Sequence, residues 1–178
     1  RRSELLGLRW KDVDLLLATL RISQVLHQLN DGRFVYQEPK TVKGRRTIAL
    51  SPSSCIELRQ HRESQERDAN LLGTPLTDDS LVFGHPDGSP RSPSTLTLAF
   101  RRLTRRLGFT GVRLHDLRHT HATLMMEQGV NPKVVSERLG HASVVITLDT
   151  YSHVLPNMQE EAVARFESAM AIVPESVR

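Results

Sequence analysis

Five of the eight histidines lie between His115 and His153, and Arg118 stands three residues after the first of them. On a helix, positions three apart share a face, so His115 and Arg118 are able to grip one small object together. A phosphodiester suits the pair. Arginine offers a planar fork of donors for the non-bridging oxygens, and imidazole donates or exchanges a proton near neutral pH. A surface pair without function fits the same spacing. His115 and His119 are also four apart, the spacing of two zinc ligands on one helical turn. The glutamate that follows the first histidine in a metalloprotease motif is Asp116 here, and Arg118 sets a positive charge beside any bound cation. These residues argue against a metal, and no cofactor is expected.

Two further residues belong with them. His141 follows Gly140 just past a predicted helix end, so a turn presents its ring; a histidine favoured there by the helix dipole is the plain alternative. Tyr151 is one of only two tyrosines. Val144, Leu148, Tyr151 and Leu155 fall at helical spacing, which also fits a core tyrosine on an amphipathic helix. With an unperturbed pKa of about 10, a tyrosine is a poor nucleophile until cations or a base favour its phenolate. A cluster of Arg118, His115 and His141 would supply that environment.

The elements that must position these groups follow from periodicity and breakers. Residues 3–13 carry Leu5, Leu8, Trp10 and Val13 and predict a short helix ending near Trp10. Leu20, Ile22, Gln24 and Leu26 alternate at strand period, Asn30-Asp31-Gly32 signals a turn, and residues 34–37 form a second strand. A turn at residues 40–44 leads to a third strand at 47–50. The expected result is a small three-stranded antiparallel sheet near the start of a mainly helical α+β domain. Ser51-Pro52 opens a helix running to about Leu72, and a basic helix follows at about 94–107 with Leu96, Phe100, Leu103 and Leu107 as its stripe. Leu114, Leu117, His121 and Leu124 mark the next helix, closed by Gly129. Asn131-Pro132 starts another, which ends at Gly140, and two more cover 143–155 and 156–170. The last carries Met158, Ala162, Phe166, Ala169 and Val173 as an apolar stripe that either folds back on its own domain or docks on a neighbouring protomer.

The 178 residues suit one ordinary domain, and the 38% hydrophobic and 25% charged content excludes no function a globular protein performs. No apolar run approaches the roughly 20 residues of a membrane helix, and the first 20 residues do not read as a signal peptide. Cys55 is the only cysteine, which excludes an internal disulfide framework and a cysteine-based metal site and favours a reducing cytoplasm. Residues 91–118 hold seven arginines against one acid, a balance of +6 in a chain of net charge +4. Such a block fits a polyanion, with a solvated helix face as the alternative. The sequence begins at Arg1 rather than Met, straight into an apolar pattern, and reads as a fragment whose natural beginning is missing.

Taken together, several blocks resemble the signatures of tyrosine recombinases, the phage-integrase family. They are Leu114-His115-Asp116-Leu117-Arg118-His119-Thr120, Arg138-Leu139-Gly140-His141 and Leu148-Asp149-Thr150-Tyr151-Ser152-His153. Residues 1–10 resemble the block with the family's first catalytic arginine, and Pro39-Lys40-Thr41 resembles its hairpin lysine. The blocks stand in the family's order and span nearly the whole chain.

The resemblance implies a catalytic domain over 1–178 lacking the family's N-terminal DNA-binding domain and the opening helices. Tyr151 would attack a DNA phosphodiester, and Arg1 (rather than Arg2) and Arg118 would clamp its non-bridging oxygens. His115 would assist proton transfer, and His141 would hydrogen-bond the phosphate. Lys40 would protonate the departing 5′-oxygen, with Lys43 on the same turn as a substitute. Strand exchange through a 3′-phosphotyrosine needs neither ATP nor a metal. The implied partners are double-stranded DNA, held in part by Lys43, Arg101, Arg102, Arg105 and Arg106, and further copies of the protein on that DNA. No membrane is implied, and the setting is the bacterial cytoplasm or nucleoid. A type IB topoisomerase and a non-catalytic helical DNA-binding module are the rival readings; Tyr151 separates the latter, which has no use for a covalent adduct.

Overall fold

A computed structural model describes residues 1–151 and 158–171. Helix α1 (Arg2–Gly7) is followed by a short 3-10 turn, Trp10–Asp12, and five short strands: β1 (Val13–Asp14), β2 (Thr19–Ile22), β3 (Val25–Gln28), β4 (Phe34–Gln37) and β5 (Arg46–Ala49). Six helices complete the described chain: α2 (Pro52–Leu71), α3 (Pro93–Arg106), α4 (Asp116–Glu127), α5 (Pro132–Leu139), α6 (Val144–Tyr151) and α7 (Met158–Ala171). The mainly helical α+β reading holds.

Three of these helices start by one device. Ser51, Ser92 and Asn131 each accept a hydrogen bond from a backbone N–H of the first turn, and each is followed by a proline whose missing N–H costs nothing there. Gly140 ends α5 in the left-handed conformation, φ +65°.

The antiparallel sheet differs from the expected one in its pairing. The alternation over residues 20–26 is not one strand but two, broken at Ser23 and Gln24. Ser23 Oγ donates to Asp12 Oδ2 at 2.8 Å, and Gln24 Nε2 donates to the Gly7 carbonyl at 2.7 Å. These bonds carry the chain from a three-stranded sheet, β1-β2-β5, into a separate hairpin, β3-β4. The alternation lapses at this point, since polar Gln24 stands in the apolar phase and the adjacent Val25 and Leu26 are both buried. In the three-stranded sheet Ile22 pairs with Arg46.

Two apolar clusters hold the domain. Leu8, Trp10 and Val82 form one, with Leu58 and Phe83 against it. Trp10 Nε1 donates to Gln65 Oε1 at 2.9 Å, satisfying its one donor and tying the N-terminal segment to α2. Ala122, Met126, Val135, Leu139 and Tyr151 form the other, joining α4, α5 and α6. The buried face of α4 is therefore Ala122 and Met126; Leu117 and Leu124 of the expected stripe are about half exposed. The same holds on α3, where Leu96 and Phe100 are half-buried while Leu103 and Leu107 are exposed.

Candidate active site

The second cluster brings the chemistry-bearing ends of α4, α5 and α6 together, and Arg1, just before α1, joins them through the end of α5. His115 caps the start of α4, which places Arg118 and His119 on the first turn. Arg118 Nη2 donates to the Leu139 carbonyl at 2.5 Å, and Arg1 Nη2 donates to the next one, Gly140, at 2.8 Å. These carbonyls are among those an α-helix leaves without an internal partner at its C-terminus. His141 follows directly, its Nδ1 2.8 Å from Oγ1 of the fully buried Thr147 on α6. Tyr151, four residues beyond Thr147, is 3% exposed, and its hydroxyl lies 2.8 Å from His119 Nδ1. The rings of His115 and His119 meet edge to face, with centroids 5.0 Å apart.

Charge accumulates here. Burial and the neighbouring Arg1 guanidinium pull the Arg118 pKa down to about 10, with Glu4 opposing, so it stays charged at neutral pH. Glu4 is 3% exposed and takes both Arg1 and Arg46 on its carboxylate. Burial would raise its pKa; hydrogen bonds from Arg46, the terminal ammonium and Arg1 outweigh that and hold it at about 2. Three guanidinium groups around one carboxylate leave an excess of two positive charges, the electrostatics of an oxyanion receptor. Burial and the nearby cations lower the pKa of both His115 and His141, which favours neutral rings at pH 7.

The expected activation of Tyr151 fails in this state. Its pKa is raised, because burial of the phenolate outweighs the attraction of Arg118. The hydroxyl remains protonated and paired with a histidine.

Arg1, His115, Arg118, His141 and Tyr151 are thus brought to one place; Arg2 lines the same cavity as Arg1, His115 and Arg118, but its Nη1 is engaged by Thr97 Oγ1 on α3. The two lysines divide. Lys43 Nζ donates to the Ala142 carbonyl at 2.7 Å, beside His141. Lys40, exposed on the same turn, has no hydrogen bond or ion pair among the described residues. Arg101, Arg102, Arg105 and Arg106 are exposed on α3 without salt bridges among the described residues, whereas Arg113 is paired with Asp116. Among the described residues no group of three or more histidine, cysteine, aspartate or glutamate side chains is placed to hold a metal ion.

Sequence reasoning misses three residues. Glu4 lies three after Arg1 on one helix face, a signal that the spacing does carry. His119 enters the sequence reading only as a zinc partner of His115. Arg46 lies 42 residues from Glu4, and no local pattern announces that contact.

Comparison with known proteins gives the family and the fold. The phage integrase family model matches residues 1–158. The ICEBs1 integrase of Bacillus subtilis is 32% identical over 170 residues, covering 96% of this chain and 46% of that protein. A tyrosine recombinase XerC-like protein of Caldanaerobacter subterraneus is 32% identical over 174 residues, covering 92% and 44% respectively. The fold matches that of the Tn1549 transposon integrase, solved with circular intermediate DNA, at a TM-score of 0.76 and 24% identity over 92% of this chain and 54% of that one. The chain belongs to the phage integrase family. It spans about half the length of these relatives.

Proposed function

We propose that this domain breaks and rejoins DNA strands in site-specific recombination of a phage or other mobile element, by the tyrosine-recombinase route. The observation that carries the proposal is the docking of Arg1 and Arg118 on adjacent carbonyls at the end of α5, with His141 and Tyr151 against the same turn. Two guanidinium groups held side by side match the two non-bridging oxygens of a phosphodiester, whose pentacoordinate transition state gains negative charge. Tyr151 forms a bond from its phenolic oxygen to phosphorus as the bond to the 5′-oxygen breaks. The phenolic proton leaves to a neighbouring imidazole, with His115 assisting, and His141 donates to the phosphate. Lys40, with Lys43 on the same turn, supplies the proton that the leaving oxygen needs. The covalent 3′-phosphotyrosine conserves the bond energy, and attack by a 5′-hydroxyl reverses the step.

The exposed arginines of α3 and Lys43 serve as phosphate contacts along duplex DNA. The described side chains of α7 between residues 160 and 170 are exposed, including Phe166 at 64%, which favours docking on a second copy over packing on its own domain. Val173 of the expected stripe lies outside the described residues. The protein acts where bacterial DNA is, in the cytoplasm or nucleoid, and no described helix is long and apolar enough to cross a membrane.

The test is a nicked duplex from which the short piece released with a free 5′-hydroxyl diffuses away, so that a covalent complex accumulates on a denaturing gel. The protein forms the complex and Tyr151→Phe does not, while both bind the duplex alike. A complex that persists in Tyr151→Phe contradicts the proposal.

A further inference from the structure

Arg46 is neither a surface arginine nor part of the proposed phosphate clamp. Its side chain is 10% exposed, at the start of β5. Its fork engages three separate segments. Nη1 and Nη2 donate to the two carboxylate oxygens of Glu4, at 3.1 and 2.8 Å. Nη1 also donates to the Gly44 carbonyl at 3.1 Å, and Nε donates to the Arg138 carbonyl at 2.8 Å. Four of the five guanidinium N–H groups are therefore committed in one rigid plane.

Each segment bears a group of the proposed mechanism. Glu4 holds the Arg1 guanidinium at 2.7 Å. Gly44 closes the turn that carries Lys40 and Lys43. Arg138 lies in the last turn of α5, whose Leu139 and Gly140 carbonyls hold Arg118 and Arg1 and whose continuation is His141. The packing is close enough to restrict the sequence, since a Cβ on Gly140 would lie 2.8 Å from Arg46 Nη1. A buried ion pair is a poor source of stability compared with well-packed apolar side chains, so its value here is in fixing register.

We infer that Arg46 is a positioning residue for strand cleavage, setting the Arg1 guanidinium, the lysine turn and His141 in register from behind the phosphate site. The inference rests on the recombinase reading of that site. Lysine cannot replace the fork: a single ammonium cannot span a carboxylate and two carbonyls in fixed directions.

The experiment compares wild type and Arg46→Lys on two nicked duplexes, one ordinary and one with sulfur in place of the 5′-bridging oxygen. Thiolate leaves without a proton, so the second substrate bypasses the lysine turn. Displacement of the clamp and turn by an ångström predicts about 100-fold slower adduct formation on the ordinary duplex. Because protonation of the leaving group is worth about 100-fold by itself, the sulfur substrate should recover at least about tenfold of the loss. Duplex binding should stay within about threefold, because the exposed arginines supply it. A rate for Arg46→Lys close to wild type, or an equal loss on both substrates, overturns the inference. Arg46→Gln, which keeps a donor for the Arg138 carbonyl, is read in the same way; failure of both variants to fold assigns Arg46 to stability alone and also overturns it. If wild type forms no adduct with either duplex, the recombinase reading itself fails, and a wild-type adduct separates that failure from this one.

Discussion

Replacing Glu4 by glutamine keeps the shape of the side chain and removes the charge that two guanidinium groups converge on. The folded protein holds this carboxylate at about 2 against an ordinary 4.5. A depression of that size corresponds to about 3 kcal/mol of stability from the charged form, which agrees with the 3–5 kcal/mol typical of breaking one partner out of a buried ion pair. The sign follows from the direction of the shift. A lowered folded pKa means that the contribution is complete above 4.5 and is lost as pH falls toward 2. At pH 3 about 2 of the 3 kcal/mol has gone. Urea unfolding of wild type and Glu4→Gln, followed by circular dichroism at pH 7 and pH 3, reads both numbers. A gap of about 3 kcal/mol at pH 7 that shrinks to about 1 kcal/mol at pH 3 is expected. A gap that is the same at both pH values, or below about 1 kcal/mol at pH 7, refutes the coupling of Glu4 to Arg1 and Arg46.

Three further outcomes follow from the same geometry. Changing Arg101, Arg102, Arg105 and Arg106 together to glutamine should flatten the salt dependence of duplex binding, by about 0.9 in the log–log slope for each phosphate no longer neutralised; an unchanged slope turns that face of α3 away from DNA. Phe166→Ala should leave the melting temperature of the monomer within the change expected of an exposed position, about 0.5 kcal/mol, while weakening assembly on DNA seen by sedimentation; a lowered melt with intact assembly rejects docking on a second copy. Adduct formation should survive excess EDTA, because guanidinium groups stand where a metal-dependent enzyme has its cation; stoichiometric zinc with activity lost on chelation would restore the histidine-pair reading.

Much of the domain is legible in the sequence because its signals are local. Ser51-Pro52 and Asn131-Pro132 announce helix starts, Gly140 announces a stop, and His115 and Arg118 share a first turn by spacing alone. What escapes the sequence is what long-range contacts decide. Ser23 and Gln24 divide the expected strand in two because Asp12 and the Gly7 carbonyl bind them. Leu117 and Leu124 fit a helical stripe, yet α4 turns Ala122 and Met126 inward against α5 and α6. The site shows the same division. Tyr151 and its cations lie together, but burial overrides the cations and keeps the phenol neutral. Arg46 is invisible to local patterns, because its partners lie far before and far after it in the chain.

The central claim is that Tyr151 becomes covalently joined to a DNA 3′-phosphate. It is tested most directly by trapping the complex on the nicked duplex, digesting both components, and sequencing the modified peptide by mass spectrometry. One modified peptide is expected, with a nucleotide 3′-phosphate on Tyr151 and a free 5′-hydroxyl on the released strand. Attachment at Tyr36, at a serine, or through a 5′-phosphate would contradict it.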